Sequence, residues 1–133
     1  MANKSILILS GLEPSGAAGL LLDVRVVRRL GFQPIAVATC TTCQHKGAFW
    51  IRPENPEKLA RAIAGYLPHA GAVKIGLVPT PAMAHAVAES IRNRGDAKAV
   101  FDPVLATSAG MPTFWGGPHG SLLDLIAAVD LIT

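Results

Sequence analysis

The feature that most narrows what this chain can become is its punctuation: short apolar runs alternate with helical segments that carry their own start and stop signals. Residues 5–10 read as a buried strand entering a Gly/Pro/Ser turn that covers Gly11 to Gly16. A helix is predicted from about Ser15 or Gly16 to Leu30, where Gly31 stops it. Residues 34–41 form a second strand, and the segment from Gln44 to Arg52 is either a loop or a short extra strand. Asn55-Pro56-Glu57 combines an N-cap, a proline at the first helical position and an acid in the first turn, so a helix runs to about Leu67. Residues 72–77 are strand-like, Thr80-Pro81 opens a helix ending near Gly95, and residues 98–102 form another strand. A Pro/Gly-rich loop from Pro103 to Gly120 follows, then a helix from Ser121 to Val129 and the opening of one more strand at Leu131–Thr133.

This rhythm predicts an α/β fold, a parallel sheet with helices on both faces, in one domain covering 1–133. Right-handed crossovers place the C-terminal end of every strand at one edge, and that edge is where open α/β sheets take ligands. The unusual residues crowd into the turns at that edge: Gly11 to Gly19, Thr42 to Gly47, Gly76 to Pro79 and Asp102 to Gly110. The chain stops on an apolar tripeptide with no helix to cover its strand, so the expectation is a piece of a longer protein or a sheet completed by a partner.

Composition removes several function classes. Half the residues are apolar and 16% are charged, which fits a packed globule. Aromatics make up 5%, too few for base-stacking platforms, and the net charge of +3 includes no Lys/Arg run, so nucleic acid is not an expected partner. Arg25, Arg28 and Arg29 share one helix and read as a solvated face. The apolar run Ile6–Leu9 is too short for a signal peptide, and no apolar stretch approaches the ~18 residues of a membrane span, so a cytoplasmic protein without a membrane partner is expected. Cys40 and Cys43 form a C-x-x-C with His45 nearby. Cys40 falls late in a strand and no helix start follows Cys43 to lower its pKa, so a structural role is preferred to redox or metal chemistry. A thiol-redox protein is the third reading.

The candidate chemistry sits in the turns. Gly11-Leu-Glu-Pro-Ser-Gly16 has the outline of a phosphate loop, but Ala17-Ala18 stand where that loop needs Lys and Ser/Thr. What remains is a turn whose glycines let a ligand or another backbone approach closely. At about 100° per residue, Gly16, Gly19, Leu20, Val26, Val27 and Leu30 share the helix side of Asp23, and the three arginines lie opposite. An acid on such a stripe needs a hydrogen-bond partner, either backbone, water or an amino or hydroxyl group of a ligand. Gln44, just past the second strand, can donate to and accept from a heterocycle at once. Lys74 either snorkels to the sheet edge or binds, Asp102 is a turn-former or a pocket acid, and Glu13 is undecided in the same way. His69, His85 and His119 lack ligand spacing and read as surface residues; Trp50 and Trp115 read as packing residues able to cover a pocket.

Taken in order, these segments resemble the hydroxymethylpyrimidine/phosphomethylpyrimidine kinases of the ribokinase-like family, in their N-terminal half. Leu9-Ser-Gly-Leu-Glu-Pro-Ser-Gly-Ala-Ala-Gly-Leu-Leu-Leu-Asp23 is similar to A-G-S-D-P-S-G-G-A-G-I-Q-A-D, and Val37-Ala-Thr-Cys-Thr-Thr-Cys-Gln44 to V-I-T-A-L-T-A-Q. Val73–Leu77 is similar to V-K-I-G-M, Asp102–Gly110 to D-P-V-M-V-A-x-S-G, and Asp130–Thr133 to a later segment that continues into P-N. The resemblance implies a ribokinase-like, Rossmann-like three-layer sheet, here truncated. It also implies ATP- and Mg²⁺-dependent phosphorylation of hydroxymethylpyrimidine and then of its monophosphate, for thiamine synthesis. By position, Gly11, Asp23 and Gln44 would contact the pyrimidine, with Leu77 and Val104 lining its pocket. No catalytic or metal-binding residue is carried over, because the family's nucleotide site and catalytic residue lie beyond Thr133. A homodimer or a complementing C-terminal half is therefore the partner to look for. Leu12-Glu13 replace Ser-Asp, Ala17 replaces Gly and Leu21-Leu22 replace Gln-Ala, which makes the first turn bulkier and more apolar. A pyridoxal-kinase-like enzyme and a non-catalytic pyrimidine sensor are the alternatives.

Overall fold

The computed structural model describes residues 4–107, 110–115 and 120–133. Six strands and four helices follow in the order β1 (Ser5–Leu12), α1 (Gly19–Arg29), β2 (Gln33–His45), β3 (Ala48–Pro53), α2 (Pro56–Tyr66), β4 (Ala72–Ile75), α3 (Pro81–Ile91), β5 (Lys98–Phe101), α4 (Gly120–Ala128) and β6 (Leu131–Ile132). They form one sheet in the order β3-β2-β1-β4-β5-β6. The chain steps from β1 to β2 on one side, then crosses to place β4 on the other, so strand order reverses between β1 and β4.

Alternation along the strands assigns the faces. Leu7 and Leu9 of β1, Val73 and Ile75 of β4, and Ala99 and Phe101 of β5 pack under α2, α3 and α4, where Leu59, Ile63, Met83, Val87, Ile91 and Leu125 are fully buried. Each such aliphatic side chain is worth ~1.5–3 kcal/mol of burial. Ile8 turns to the opposite face and meets Leu20 and Val27 of α1. Helices thus cover both faces, as the punctuation predicts.

The sheet is parallel except at one edge. β2 and β3 pair antiparallel from Cys40↔Pro53 to His45↔Ala48. Lys46 and Gly47 join them with φ of 47° and 79°, the two-residue turn whose twist suits a hairpin, and a connection that short cannot reverse into a parallel partner. The segment left open between loop and strand is therefore a strand. Helix α1 begins at Gly19, later than Ser15 or Gly16, because Gly16 and Gly19 hold positive φ and Ala18 is extended. The caps of α2 and α3 form as read: Asn55 accepts from the Lys58 N–H and Thr80 from the Met83 N–H. In the loop after β5, Ala106 bridges Pro112; Ser108, Ala109 and the stretch 116–119, which includes His119, lie outside the described residues.

Candidate functional site

Where the strand order reverses, the C-terminal ends of β1 and β4 diverge and leave a crevice. A cavity of about 450 Å³ occupies it. The end of β1 gives it Gly11, the turn that follows Glu13, α1 gives Asp23, and β2 gives Thr42 and Gln44. Phe49 of β3, Gly76 and Leu77 after β4, Asp102 after β5, and Val104 and Thr113 from the following loop close it. All five residues singled out by resemblance (Gly11, Asp23, Gln44, Leu77 and Val104) line this one space.

Local irregularities build it. β1 and β2 run in step from Ser5↔Gln33 to Ser10↔Ala38, then Gly11 pairs with Cys40, leaving Thr39 as an extra residue in β2. Such a bulge re-aims the side chains beyond it. Here it buries Thr39, whose hydroxyl donates to the Leu77 carbonyl at 2.6 Å, tying β2 to the segment after β4. It also sets Cys40 against Gly11: a Cβ on Gly11 would lie 3.0 Å from Leu77 Cδ2 and 3.1 Å from Cys40 Sγ. The Trp115 N–H ties the loop after β5 to the segment after β4 by donating to the Pro79 carbonyl at 2.8 Å, and the Thr113 N–H donates to the Leu105 carbonyl at 3.0 Å within that loop.

The partner that Asp23 needs is Lys74, whose ammonium donates to Asp23 Oδ2 at 2.6 Å. Of the two roles open to Lys74 in the sequence, neither points to Asp23, since the two are 51 positions apart and meet only through the β1–β4 pairing and the packing of α1 on β1. The face of α1 also needs correction. Leu20 and Val27 are buried, but Val26 and Leu30 are 47% and 67% exposed, so the packed stripe is narrower than an ideal helical wheel gives. Arg25 turns back to donate to the Gly16 carbonyl and braces the turn before α1. Glu13 lines the cavity, and its carboxylate accepts the Ser15 hydroxyl and backbone N–H, which hold its pKa below the usual value.

The two cysteines part company. Cys40 is buried, and burial pushes its thiol up to about 11, so it remains protonated and inert. Cys43 is partly exposed; three residues apart on an extended strand is ~10 Å, beyond disulfide reach. Trp50 and Trp115 are not cavity walls; the aromatic that faces the site is Phe49, which no spacing in the sequence distinguished. His69 and His85 are exposed. Ser10, Thr42 and Thr113 are buried polar residues of the cavity that sequence reading also missed, because a hydroxyl in a strand or loop carries no periodic signal.

Chemically, the cavity offers an apolar wall of Phe49, Leu77 and Val104 beside the amide of Gln44 and the carboxylate of Asp23, a surface fitted to a small planar ring with polar edges. A triphosphate does not fit this set. Lys74 is the only cation lining the cavity among the described residues, it is already paired, and Glu13, Asp23 and Asp102 oppose an anion. No group of three or more His, Cys, Asp or Glu side chains able to hold a metal occurs among the described residues.

Fold and crevice define an open α/β protein with a cavity at its topological switch point, the architecture of the ribokinase-like kinases. The family model for phosphomethylpyrimidine kinase matches residues 13–133, and this chain belongs to that family. The hydroxymethylpyrimidine/phosphomethylpyrimidine kinase of Aquifex aeolicus is 30% identical over 132 residues, covering 96% of this chain and 51% of that kinase. The crystal structure of phosphomethylpyrimidine kinase from Clostridium difficile superposes with a TM-score of 0.84 at 23% identity, over 96% of this chain and 57% of that one. A pyridoxal kinase from Staphylococcus aureus, in complex with AMP-PCP and pyridoxal, reaches 0.73 at 20% identity, over 83% of this chain and 42% of its own. This chain thus spans about half the length of the Aquifex relative.

Proposed function

We propose that this chain is the substrate-holding half of an ATP-dependent kinase for hydroxymethylpyrimidine and its monophosphate in thiamine biosynthesis. The observation that carries the reading is the meeting of Gly11, Asp23, Gln44, Leu77 and Val104 around one crevice, in a chain of the phosphomethylpyrimidine kinase family. In it the Asp23 carboxylate accepts from the ring's amino group and the Gln44 amide pairs with its polar edge. Leu77, Val104 and Phe49 cover the ring faces, and Gly11 keeps the wall between Leu77 and Cys40 thin enough for the ring to enter. ATP and Mg²⁺ are held by residues outside this chain, consistent with the acidic balance of the cavity. The partner that supplies them is a C-terminal half adding to the free side of β6, the last strand of the sheet, whose Leu131 and Ile132 are 55% and 43% exposed.

Isothermal calorimetry with 4-amino-5-hydroxymethyl-2-methylpyrimidine on wild type and Asp23→Ala tests the reading. The variant is expected to lose ~1–3 kcal/mol, the cost of leaving a buried polar partner unpaired. Equal affinities reject the role of Asp23. The fold shared with pyridoxal kinase makes pyridoxal the proper competitor ligand, and tighter binding of pyridoxal than of the pyrimidine would reassign the substrate.

A further inference from the structure

We propose that Lys74 is a positioning residue: its ammonium, passing over Gly76, fixes the Asp23 carboxylate that meets the ligand. The proposal rests on the reading of the cavity as a pyrimidine pocket. Lys74 pairs with Ile8 across the β1–β4 ladder and so shares the α1 face of the sheet. From mid-strand its side chain runs toward the strand end, over Gly76. A Cβ on Gly76 would lie 3.2 Å from Lys74 Nζ and 2.4 Å from Ser10 Oγ. The severe overlap is with Ser10 Oγ, and the lysine tip would have to shift by only a few tenths of an ångström.

The pair differs from a surface ion pair between two mobile chains, which has little reason to hold one geometry. Both side chains are largely covered, at 29% and 22% exposure, and both line the cavity. Of three carboxylates there, Glu13 is engaged by Ser15, and the ammonium goes to Asp23. Lys74 takes Oδ2, and the ligand's donor is assigned to the other oxygen, Oδ1. A carboxylate swinging freely would have to be ordered on binding; one tethered through its other oxygen is oriented beforehand.

Calorimetry with the hydroxymethylpyrimidine on wild type, Lys74→Met, Lys74→Arg, Asp23→Asn and the Asp23→Asn/Lys74→Met pair tests this, with thermal melts alongside. Lys74→Met is expected to weaken binding about tenfold or more, and Lys74→Arg to recover most of it. The double variant is expected to bind no more weakly than Asp23→Asn, because Lys74 then has nothing left to position. Should Lys74→Met fail to fold around an orphaned carboxylate, the double variant removes both charges and carries the comparison. A Lys74→Met protein that melts earlier yet binds like wild type overturns the assignment, as do losses that add in the double variant, the mark of direct ligand contact. A wild-type protein that binds neither the pyrimidine nor pyridoxal overturns the proposed function and this inference together. Wild-type binding untouched by Lys74→Met overturns this inference alone.

Discussion

Replacing Gly19 by alanine strikes the turn on which the cavity is built. Gly19 opens α1 with φ of +65°, and a Cβ there would lie 2.4 Å from the carbonyl oxygen of Gly11 at the end of β1. Two costs separate cleanly. Holding an L-residue in the left-handed region costs ~1–2 kcal/mol. The clash is with backbone, which no rotamer change relieves, so strand and helix must part, adding ~1–3 kcal/mol by the usual cost of overpacking. The sum is roughly 2–5 kcal/mol, and at ~3–4 °C per kcal/mol for a domain of this size the melting temperature should fall by roughly 7–18 °C. Gly31 supplies the internal control, for its φ is +83° and nothing lies within 4 Å of an added Cβ. Gly31→Ala therefore carries the dihedral cost alone and should melt only ~3–7 °C lower. Thermal unfolding followed by circular dichroism on both variants measures the difference. Equal shifts would refute the close approach of Gly19 to Gly11, and with it the account of how this turn shapes the crevice.

Thiol chemistry gives a second prediction. Cys40, with its pKa pushed up to about 11 by burial, should resist a thiol-specific reagent near pH 8 in the folded protein. Cys43 alone should then react until denaturant exposes both, and two rapid equivalents without denaturant would contradict the burial. A third concerns Asp130, whose carboxylate accepts the Ala99 N–H at 2.8 Å and the Arg94 guanidinium at 3.1 Å. The backbone N–H first and Arg94 second hold its pKa below the ordinary 3.8. Its unfolded pKa is the higher one, so the tie is fully present above that value and is lost as pH falls through the lower folded value. Acid titration followed by amide exchange at Ala99 should show protection loosening only in that window, and Asp130→Asn should remove the dependence.

Much of the architecture was legible because its signals are local. Apolar runs, the Asn55 and Thr80 caps and the stop at Gly31 depend on neighbours a few positions away, and strand–helix alternation then leads to an α/β sheet with its strand ends at one edge. Resemblance along the chain pointed to Gly11, Asp23, Gln44, Leu77 and Val104, and they do share one cavity. The hairpin of β2 and β3 was less visible, because Lys46-Gly47 is not among the strong turn pairs and Gln44–Arg52 does not alternate strictly.

What the sequence determined by itself is the set of elements, since helix caps, glycine stops and apolar periods act over a few residues. Tertiary structure alone decided which side chains meet: the bulge at Thr39 that sets Cys40 against Gly11, the reach of Lys74 over Gly76 to Asp23, and the turn of Phe49 into the crevice. Each of these joins positions far apart along the chain. Their geometry depends on strand order and register, and those are set by burying both faces of the whole sheet at once.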